Sequence, residues 1–559
     1  MSQTLGTAAI RAEPDGYDVG RPRLLGRHVA GNGFLRAAVN ARGDGPIYGY
    51  ASQKATVEGF ARLVRQIDPE ARTEWIHADH LNRLGDPGVL YIADATVPDF
   101  ARLRLRVGPP AFSICGVTHT TATSGTLGHI ADLLQAPVAP WDALICTSKA
   151  VVETVRRVHE AETEHLRWRF GSGTRIEHHI QLPIIPLGVH CDDFANDDET
   201  RAEAREGLNL APDEIASLYV GRLLFHGKAH PFPMYSALQS TAELTGKRIV
   251  LIMCGWSAND FSDNAFRNGA EVYAPDVRTI FVDGREPDVR KQAWRAADIF
   301  ISLADGIQET FGLTPVEAMA AGLPVVVSDW NGYKDTVRDG VDGFRIKTWL
   351  PMAGMGQPIA RAYESGSLDY DQYTWALAAT VAVDIRELAE RLTTLVMDPP
   401  LRRKMGDAGR RRALEVYDWT VVFKAYQALW GDLNARRQAV LHNPDELARW
   451  AAPRSATRFM DPLTAFGHYP SSTITPATWL ELMPHASDAA FVELARHELF
   501  HGLLEVGGAK ALIAALLNGP LTVQLASTSV GNPAPMARAA ALLAKMGLVR
   551  LWNAGTDAS

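Results

Sequence analysis

Two glutamates and a predicted helix start form the most informative group of residues. Glu309 and Glu317 are separated by seven residues within SLADGIQETFGLTPVEAMAAGLPVVVSDWNGY, which begins at Ser302. This stretch predicts the end of a strand, a glycine-containing loop, and a helix that begins at Thr314 and Pro315. The first N–H groups of a helix have no partner within it and carry partial positive charge. Such a start is suited to bind a phosphate.

A purely structural interpretation of the same residues stays open. Thr314-Pro-Val-Glu317 has the spacing of a capping box, in which the glutamate only satisfies the start of the helix. Glu309 on its own fits a solvated loop carboxylate equally well. Gly312, just before the helix, would let a ligand approach the backbone closely. The spacing alone therefore does not separate ligand binding from helix capping.

A second group of candidates follows the strand predicted from Ala216. In VGRLLFHGKAHPF the strand ends at Gly221 and Arg222, and Lys228 follows six residues after the arginine. Two cations at the carboxyl end of one strand would neutralise a diphosphate, arginine as a bidentate fork and lysine as a point charge. The alternative is an ordinary surface ion pair.

Two weaker signals lie nearer the start of the chain. His119 follows the predicted strand AFSICGV, at an edge where parallel sheets present functional groups. A lone histidine at such a place is more often structural than catalytic. The stretch GRHVAGNGF contains Gly31 and Gly33, but it lacks the full dinucleotide fingerprint and has no clear strand before it.

Two alternating series of strands and helices position these residues. Short apolar runs separated by amphipathic helices favour parallel sheets that are covered on both faces. The first series has predicted strands from Val89, Ala111, Ala143 and Leu182, and the second from Ala216, Arg248, Thr279, Asp298 and Pro324. Each series predicts an α/β, doubly wound, Rossmann-like domain. Ligands bind such domains at the carboxyl ends of their strands.

Changes in this pattern divide the chain into four parts. Residues 1–20 are expected to be an irregular arm, and residues 21–191 the first Rossmann-like domain. Residues 192–437 are expected to be the second such domain with its closing helices. Residues 438–559 are expected to form a mainly helical extension whose last part has the pattern of a winged helix-turn-helix.

Composition excludes several classes of function. Of the 559 residues, 47% are hydrophobic and 21% are charged, which excludes disordered and fibrous classes. The net charge of −8 gives no overall excess of positive charge of the kind that nucleic-acid-binding proteins have. No apolar run is long enough to predict a membrane span, and the N-terminus does not resemble a signal peptide. The four scattered cysteines predict neither a disulfide framework nor a zinc knuckle and fit a reducing cytoplasm.

No metal site is predicted from the carboxylates. The adjacent pairs Asp192-Asp193 and Asp197-Asp198 lie in a polar stretch between the two domains, where they are expected to be solvated. Neither pair stands at the end of a predicted strand.

Taken together, these motifs resemble the retaining glycosyltransferases of family 4, which have the two-domain GT-B fold. Glu309-TFGLTPV-Glu317 is similar to the E-x7-E motif of that family, and Gly221, Arg222 and Lys228 are similar to its GxR…K pattern. The resemblance covers residues 20–437. The NGYKD segment, which ends at Asp335, departs from the Gly-Gly-Glu usual in the family and leaves the role of this aspartate open.

The resemblance implies a role for each candidate residue. Glu317 would bind the ribose hydroxyls of a nucleotide sugar, and Glu309 would face the donor sugar. Arg222 and Lys228 would stabilise the leaving diphosphate, and His119 would lie beside the reacting anomeric carbon. The other residues implied on the donor side are Gly221, Phe311, Gly312, Leu313 and Thr314 in the second domain, and Gly31 and Gly33 in an N-terminal loop that closes over the diphosphate or the acceptor.

The implied reaction moves a sugar from a UDP- or GDP-sugar to a saccharide, lipid-linked or protein acceptor, with retention of configuration. In the favoured front-face attack the leaving phosphate takes the proton of the acceptor, so no general base is assigned. No cofactor is expected besides the donor substrate, and no metal. The enzyme is expected in the cytoplasm, with peripheral association with the inner membrane face left open.

Two other interpretations stay open. A sugar-nucleotide epimerase or a phosphorylase would share the fold, and fold alone does not separate these activities. The E-x7-E spacing favours the transferase. A regulator acting through the winged-helix-like unit belongs to a different class. From His501 to Ser559 four basic residues stand against two acidic ones, which is a thin basis for DNA binding, so a packing role, a homo-oligomer or a protein partner is favoured for the extension.

Overall fold

The computed structural model describes residues 5–20, 26–225, 227–453, 455–500, 506–528 and 532–554. Contacts divide the chain into two units, Met1–Ala456 and Thr457–Ser559. The extension therefore begins at residue 457 and not at the predicted residue 438. The reason is visible at Trp450, whose ring packs edge-on against the buried Trp141 with centroids 4.8 Å apart.

The first lobe of the larger unit has a parallel six-stranded sheet of the order β3-β2-β1-β4-β5-β6. Its strands are β1 (Ala9–Arg11), β2 (Ile47–Ala51), β3 (Thr73–His77), β4 (Val89–Tyr91), β5 (Ser113–Val117) and β6 (Ala143–Ile145). Its helices are α1 (Gly26–Asn40), α2 (Lys54–Ile67), α3 (Val97–Arg104), α4 (Ser124–Asp132) and α5 (Lys149–Phe170).

The second lobe repeats this architecture, with a parallel sheet of the order β12-β11-β10-β7-β8-β9. Its strands are β7 (Ile215–Val220), β8 (Ile249–Gly255), β9 (Arg278–Asp283), β10 (Ile299–Ser302), β11 (Val325–Ser328) and β12 (Gly343–Ile346), followed by the antiparallel pair β13 (Thr348–Trp349) and β14 (Ala382–Val383). Its helices are α6 (Asp198–Gly207), α7 (Phe232–Thr245), α8 (Asp260–Tyr273), α9 (Pro287–Ala296), α10 (Leu313–Ala320), α11 (Tyr333–Thr336), α12 (Gln357–Glu364), α13 (Tyr370–Ala378), α14 (Ile385–Met397) and α15 (Pro399–Arg412).

The two doubly wound domains predicted from the sequence are confirmed by these sheets. Every residue of β5 and of β8 is buried, as expected for strands covered by helices on both faces. In each sheet the strand order reverses beside the first strand, between β1 and β4 and between β7 and β10. Such a reversal opens a crevice at the carboxyl ends of the strands.

Two sequence expectations for the first lobe are wrong. The expected irregular arm contains β1, which pairs with both β2 and β4 in the middle of the sheet. Three residues are too few to show an alternating hydrophobic pattern, and the surrounding stretch contains Gly and Pro. Only the pairing with neighbouring strands therefore defines this strand. The strand expected from Leu182 is reduced to isolated bridges, one of which joins Ile184 to Cys146.

Helix α16 (Trp419–Leu441) returns from the second lobe to the first. Its residues Trp419, Phe423, Tyr426 and Trp430 lie in the core of the first lobe around Phe34. The closing helix therefore packs with the first sheet, although it was predicted to belong to the second domain. A further helix, α17 (Pro444–Arg449), ends this unit.

The chain crosses between the lobes at two adjacent places. The first crossing passes Val189 and the second passes Tyr417 to Trp419. The backbone N–H of Val189 donates to Tyr417 O at 2.8 Å, and the N–H of Trp419 donates to Val189 O at 3.1 Å. The two crossings are therefore hydrogen-bonded to each other.

The second unit is mainly helical, as predicted, and has its own core. Its helices are α18 (Pro462–Ala465), α19 (Asp488–Arg496), α20 (Val506–Leu516), α21 (Val523–Ala526) and α22 (Pro533–Lys545). It also contains a three-stranded antiparallel sheet of the order β16-β15-β17, formed by β15 (Trp479–Leu482), β16 (Leu521–Thr522) and β17 (Val549–Trp552).

Candidate functional site

The carboxyl ends of β7 and β10 bring the two main groups of candidate residues together. These strands are neighbours in the sheet and lie where the strand order reverses. The loop after β7 carries Arg222 and Lys228, and the loop after β10 carries Glu309 and leads into α10. The topology therefore places cations, carboxylates and a helix start at one edge, as the sequence predicted.

Lys228 and Glu309 contact each other directly. The Lys228 Nζ lies 2.9 Å from Glu309 Oε2, and the two side chains are 30% and 17% exposed. The lysine is therefore already paired with a carboxylate in the same loop system. The alternative of an ion pair is therefore observed for Lys228, but the pair is partly buried and not on the open surface.

Arg222 has no such partner among the described residues. Burial lowers the pKa of its guanidinium, while the charges of Tyr219, Asp371, Glu309 and Tyr370 act in the opposite direction. In the described part of the chain no carboxylate lies within ion-pair distance of it. Its backbone carbonyl is held by the Tyr219 hydroxyl, which donates to Arg222 O at 3.1 Å. A partly buried cation without an ion-pair partner has unused capacity to bind an anion.

Helix α10 begins earlier than the sequence suggested. Its N-cap is Gly312, with φ of +95°, and no side chain caps it. The predicted N-cap at Thr314 is therefore wrong, and so is the capping box, because Glu317 is now the fifth residue of the helix. A Cβ at position 312 would lie 2.4 Å from the ring of Tyr333, so only glycine fits this turn. The early start leaves the N–H groups of Leu313 and Thr314 at an uncapped N-terminus.

Glu317 lies one turn inside α10 and is the second carboxylate of the site. Burial raises the pKa of its carboxyl to about 7, and the charges of Arg290 and Lys228 lower it. Arg290 lies on α9 and donates from Nη1 to Gly284 O at 3.2 Å. Sequence reasoning missed Arg290, because its helix shows only an amphipathic pattern.

The first lobe reaches this edge through two hydrogen bonds to Thr310. The Ser148 Oγ donates to Thr310 O at 2.7 Å, and the Thr310 Oγ1 donates to His119 O at 3.1 Å. The start of α10 therefore lies against the first lobe, at the crevice between the lobes. Phe311, which follows Thr310, is 2% exposed and packs against Tyr417, so its side chain is part of the core.

His119 is held as a neutral imidazole. Burial lowers its pKa to about 4, with Asp94 raising it and Arg27 lowering it further. The backbone carbonyl of His119 contacts the loop that carries Glu309, through the hydroxyl of Thr310. At neutral pH this side chain would carry no charge into the crevice.

The glycine-rich loop predicted around Gly31 and Gly33 is wrong. Both residues lie within α1 and are buried. A Cβ at Gly31 would lie 2.0 Å from Gly16 O, and one at Gly33 would lie 2.5 Å from the Trp419 Nε1. These glycines permit close packing of α1 and do not form a loop that could close over a diphosphate.

Asp335, whose role the sequence left open, contacts the other lobe. Its Oδ2 accepts a hydrogen bond from the backbone N–H of Lys149 at 2.6 Å, and its Oδ1 lies 3.8 Å from the Lys149 Nζ. The carboxylate therefore meets the positive end of α5, which begins at Lys149. Both of these contacts of the Asp335 carboxylate are therefore with Lys149 of this chain.

The carboxylates of the interlobe stretch have protein partners. Asp193 forms an ion pair with Arg36 at 2.6 Å, and Asp197 caps α6 through the N–H of Thr200. Both side chains stay exposed, as expected for a solvated stretch, although each also has a protein partner. In the described ranges no three His, Cys, Asp or Glu side chains are grouped closely enough to hold a metal ion.

The second lobe is similar to a known protein family. Residues 200–353 match the model of the family "Glycosyl transferases group 1". The predicted glycosyltransferase resemblance is confirmed. The matched segment includes β7 to β12, and so it contains Arg222, Lys228, Glu309 and Glu317.

Curated relatives share parts of the chain. It is 31% identical to a D-inositol 3-phosphate glycosyltransferase of Nocardia farcinica over 170 residues, which is 30% of this chain and 36% of that protein. It is 31% identical to the protein of the same name from Actinosynnema mirum over 236 residues, 41% of this chain and 54% of that protein. The chain thus spans between a third and just over half of the length of these two relatives.

Two solved structures match most of the chain at low sequence identity. HepE of Anabaena in complex with UDP is 15% identical, with 75% of this chain and 98% of that chain covered and a TM-score of 0.47. Sucrose-phosphate synthase of Thermosynechococcus elongatus is 18% identical, with 78% and 100% covered and a TM-score of 0.45. None of the described helices has both the length and the apolar composition of a membrane span.

Proposed function

We propose that the chain is a retaining glycosyltransferase that moves a hexosyl group from a nucleotide diphosphate sugar to an acceptor without a metal ion. The observation that carries the proposal is the arrangement after β7 and β10. There Arg222, which has no ion-pair partner among the described residues, lies at the same sheet edge as Lys228 and the uncapped start of α10. This is an anion site at the reversal of the strand order.

Cleavage of the bond between sugar and phosphate builds negative charge on the leaving diphosphate. Arg222 and Lys228 would stabilise that charge, together with the N–H groups of Leu313 and Thr314. Because these groups are fixed before the reaction, they stabilise the transition state without the cost of reorganising solvent. The site thus has a source of charge stabilisation in its own side chains and backbone.

The ion pair between Lys228 and Glu309 gives the free site a defined starting geometry. When a donor binds, Lys228 would turn toward the diphosphate and Glu309 would accept hydrogen bonds from hydroxyls of the sugar. The pair would hold both side chains near their working positions and balance their half-buried charges.

The other two side chains would bind and orient the donor. Glu317 would accept hydrogen bonds from the ribose hydroxyls, which requires the ionised carboxylate. His119, neutral at physiological pH, would lie beside the anomeric carbon and donate or accept a hydrogen bond without adding charge. In the front-face mechanism the proton of the acceptor passes to the leaving phosphate, so neither residue acts as general base.

A panel of UDP- and GDP-sugars tests this proposal. A correct donor should be hydrolysed slowly in the absence of acceptor and should raise the melting temperature of the protein. The acceptor panel should include D-inositol 3-phosphate, since the curated relatives act on it by name. NMR of the glycoside formed reports the anomeric configuration, and excess EDTA tests metal dependence. Failure of every donor to bind, an inverted product, or loss of activity in EDTA would each contradict the corresponding part of the proposal.

The extension does not favour the alternative of a DNA-binding regulator. Residues 457–559 contain six Lys and Arg against seven Asp and Glu, which leaves no excess of positive charge for phosphates. We propose a packing or protein-partner role for this unit. A salt-dependent gel shift with the full chain and random duplex DNA should show no complex.

A further inference from the structure

The loop after β10 holds a buried carboxylate that the proposed function does not use. Asp305 is 6% exposed and lies between the end of β10 and Glu309. Burial raises the pKa of its carboxyl to about 7, while hydrogen bonds from the backbone N–H groups of His230 and of Asp305 itself lower it. A carboxylate in such a place is costly unless its hydrogen bonds are needed.

The backbone on both sides of Asp305 is anchored to the end of β11. The Ser328 Oγ donates to Ala304 O at 2.6 Å, and the Trp330 Nε1 donates to Gly306 O at 3.0 Å. Asp305 therefore stands on a segment that the sheet itself holds in place. A side chain on such a segment can hold a neighbouring loop in position, because its own backbone is anchored to the sheet.

The neighbouring loop is the turn that carries Lys228, residues 227–230. The backbone N–H of His230 donates to Asp305 Oδ2 at 3.2 Å, and the backbone N–H of Asp305 donates to Lys228 O at 3.4 Å. Asp305 thus contacts the backbone of this turn on either side of Ala229. The backbone N–H of Lys228 donates locally, to Leu224 O at 3.2 Å.

We propose that Asp305 is a positioning residue for Lys228, and that it acts by fixing the backbone of residues 227–230 rather than by touching the substrate. The inference rests on the proposed function, because that proposal makes the diphosphate of the donor the ligand of Lys228. Lysine has a flexible four-carbon stem, so fixing its backbone is the available way to lower the entropy lost when its ammonium binds phosphate.

Arg222 is supported in a parallel way from the same sheet edge. The Tyr219 hydroxyl, at the end of β7, holds the backbone carbonyl of Arg222. Tyr219 is 4% exposed, and burial raises the pKa of its hydroxyl, with the charges of Glu309 and Asp305 adding to the effect. Tyr219 thus holds the backbone at Arg222, and Asp305 holds the backbone beside Lys228.

The test compares Asp305→Ala with Asp305→Asn in the full chain. Binding of UDP, GDP, uridine, guanosine and inorganic pyrophosphate is measured by calorimetry. The alanine variant should bind the diphosphates and pyrophosphate about tenfold more weakly, a loss of about 1.4 kcal/mol, with nucleoside affinity unchanged. The asparagine variant should regain most of this affinity, because its amide oxygen can still accept from the N–H of His230.

Asp298→Asn is the matched control, at the opposite end of β10. Its carboxylate forms ion pairs with Arg201 at 2.6 Å and Arg205 at 3.1 Å. This variant should lower the melting temperature but leave the ratio of diphosphate to nucleoside affinity unchanged. The control therefore separates a positioning effect from general loss of stability.

Two binding results would overturn the inference: an unchanged UDP affinity in Asp305→Ala, or an equal loss of UDP and uridine affinity. If the unmodified protein binds none of these anions, the proposed function fails, and a crystal structure of Asp305→Ala decides the inference by itself. Displacement of residues 227–230 and loss of the Lys228–Glu309 contact would support it. Retention of that contact at 2.9 Å would overturn it.

Discussion

The two lobes have the same strand order but different chemistry at the carboxyl ends of their strands. In the first lobe Arg11, at the end of β1, is paired with Glu13 and lies 3.3 Å from Asp94. In the second lobe Arg222 follows the equivalent strand β7 and has no ion-pair partner among the described residues. The sheets are therefore a common support, and the short loops after them decide where an anion can bind.

The largest effect is expected when each of these two arginines is replaced by alanine. Arg222→Ala should lower the rate of donor hydrolysis by about 10²–10³-fold, the usual loss when one fixed donor to a developing oxyanion is removed. Arg11→Ala should change donor hydrolysis much less, since its charge is already balanced by two carboxylates. Initial rates with the donor found in the panel give both numbers. Similar losses in the two variants would remove the distinction between the lobes.

The glycines of α1 test whether the first lobe contributes packing rather than a phosphate loop. Gly31→Ala places a Cβ against Gly16 O, which should destabilise the protein by about 1–3 kcal/mol through overpacking. Nucleotide affinity of the protein that remains folded should be unchanged. Denaturant unfolding and calorimetry with UDP measure the two effects. A stable variant with weakened UDP affinity would restore the glycine-rich loop as a binding element.

Glu317→Gln is expected to change stability and donor binding in the second lobe in opposite directions. The carboxyl has a pKa of about 7 in the fold and a lower one in the unfolded chain, so the fold loses stability as pH rises between these two values, and the loss is complete above 7. The glutamine variant should therefore gain stability relative to the unmodified protein at pH 8, and not at pH 4. Its KM for the donor should rise. Thermal unfolding at the two pH values and initial rates test this prediction.

For the unmodified protein the same pKa predicts the direction of the pH dependence of binding. Below pH 7 the protonated Glu317 would accept hydrogen bonds from ribose less well, so the KM for the donor should rise as pH falls. The glutamine variant should lose this dependence. A donor KM that depends on pH equally in both forms would assign the titration to another group.

The smallest effect is expected at the contact between the lobes. Asp335→Asn removes the charge that meets the start of α5 but keeps an oxygen to accept from the N–H of Lys149. We expect a loss of about 0.3–1 kcal/mol in stability that shrinks at high salt, with little change in the rate of donor hydrolysis. Thermal unfolding at low and high salt measures it, with Asp213→Asn on the exposed surface as control.

Much of the second lobe was predictable because its signals are local. The strands from Ala216, Arg248 and Pro324 are apolar runs between amphipathic helices, and the structure confirms each of them. Glu309 and Lys228 were found from their places at strand ends, and the structure brings them together.

The first lobe was harder to predict because its elements depend on distant partners. Strand β1 is three residues long and is defined by two neighbours in the sheet. Helix α1 contains three glycines and is stabilised by packing against α16, whose sequence begins almost four hundred residues later. The contacts of Asp305 and Asp335 could not be predicted for the same reason. Their partners lie in other loops, and nothing in the neighbouring sequence indicates them.

The paired crossings at Val189 and Trp419 determine how the lobes can move. A single connecting segment would permit rotation about any axis, but two segments bonded side by side permit only bending about the line through them. Opening would then swing the Ser148 and Lys149 end of the first lobe away from Thr310 and Asp335 along one arc. Closure along the same arc would return the lobes to the register in which Thr310 meets His119.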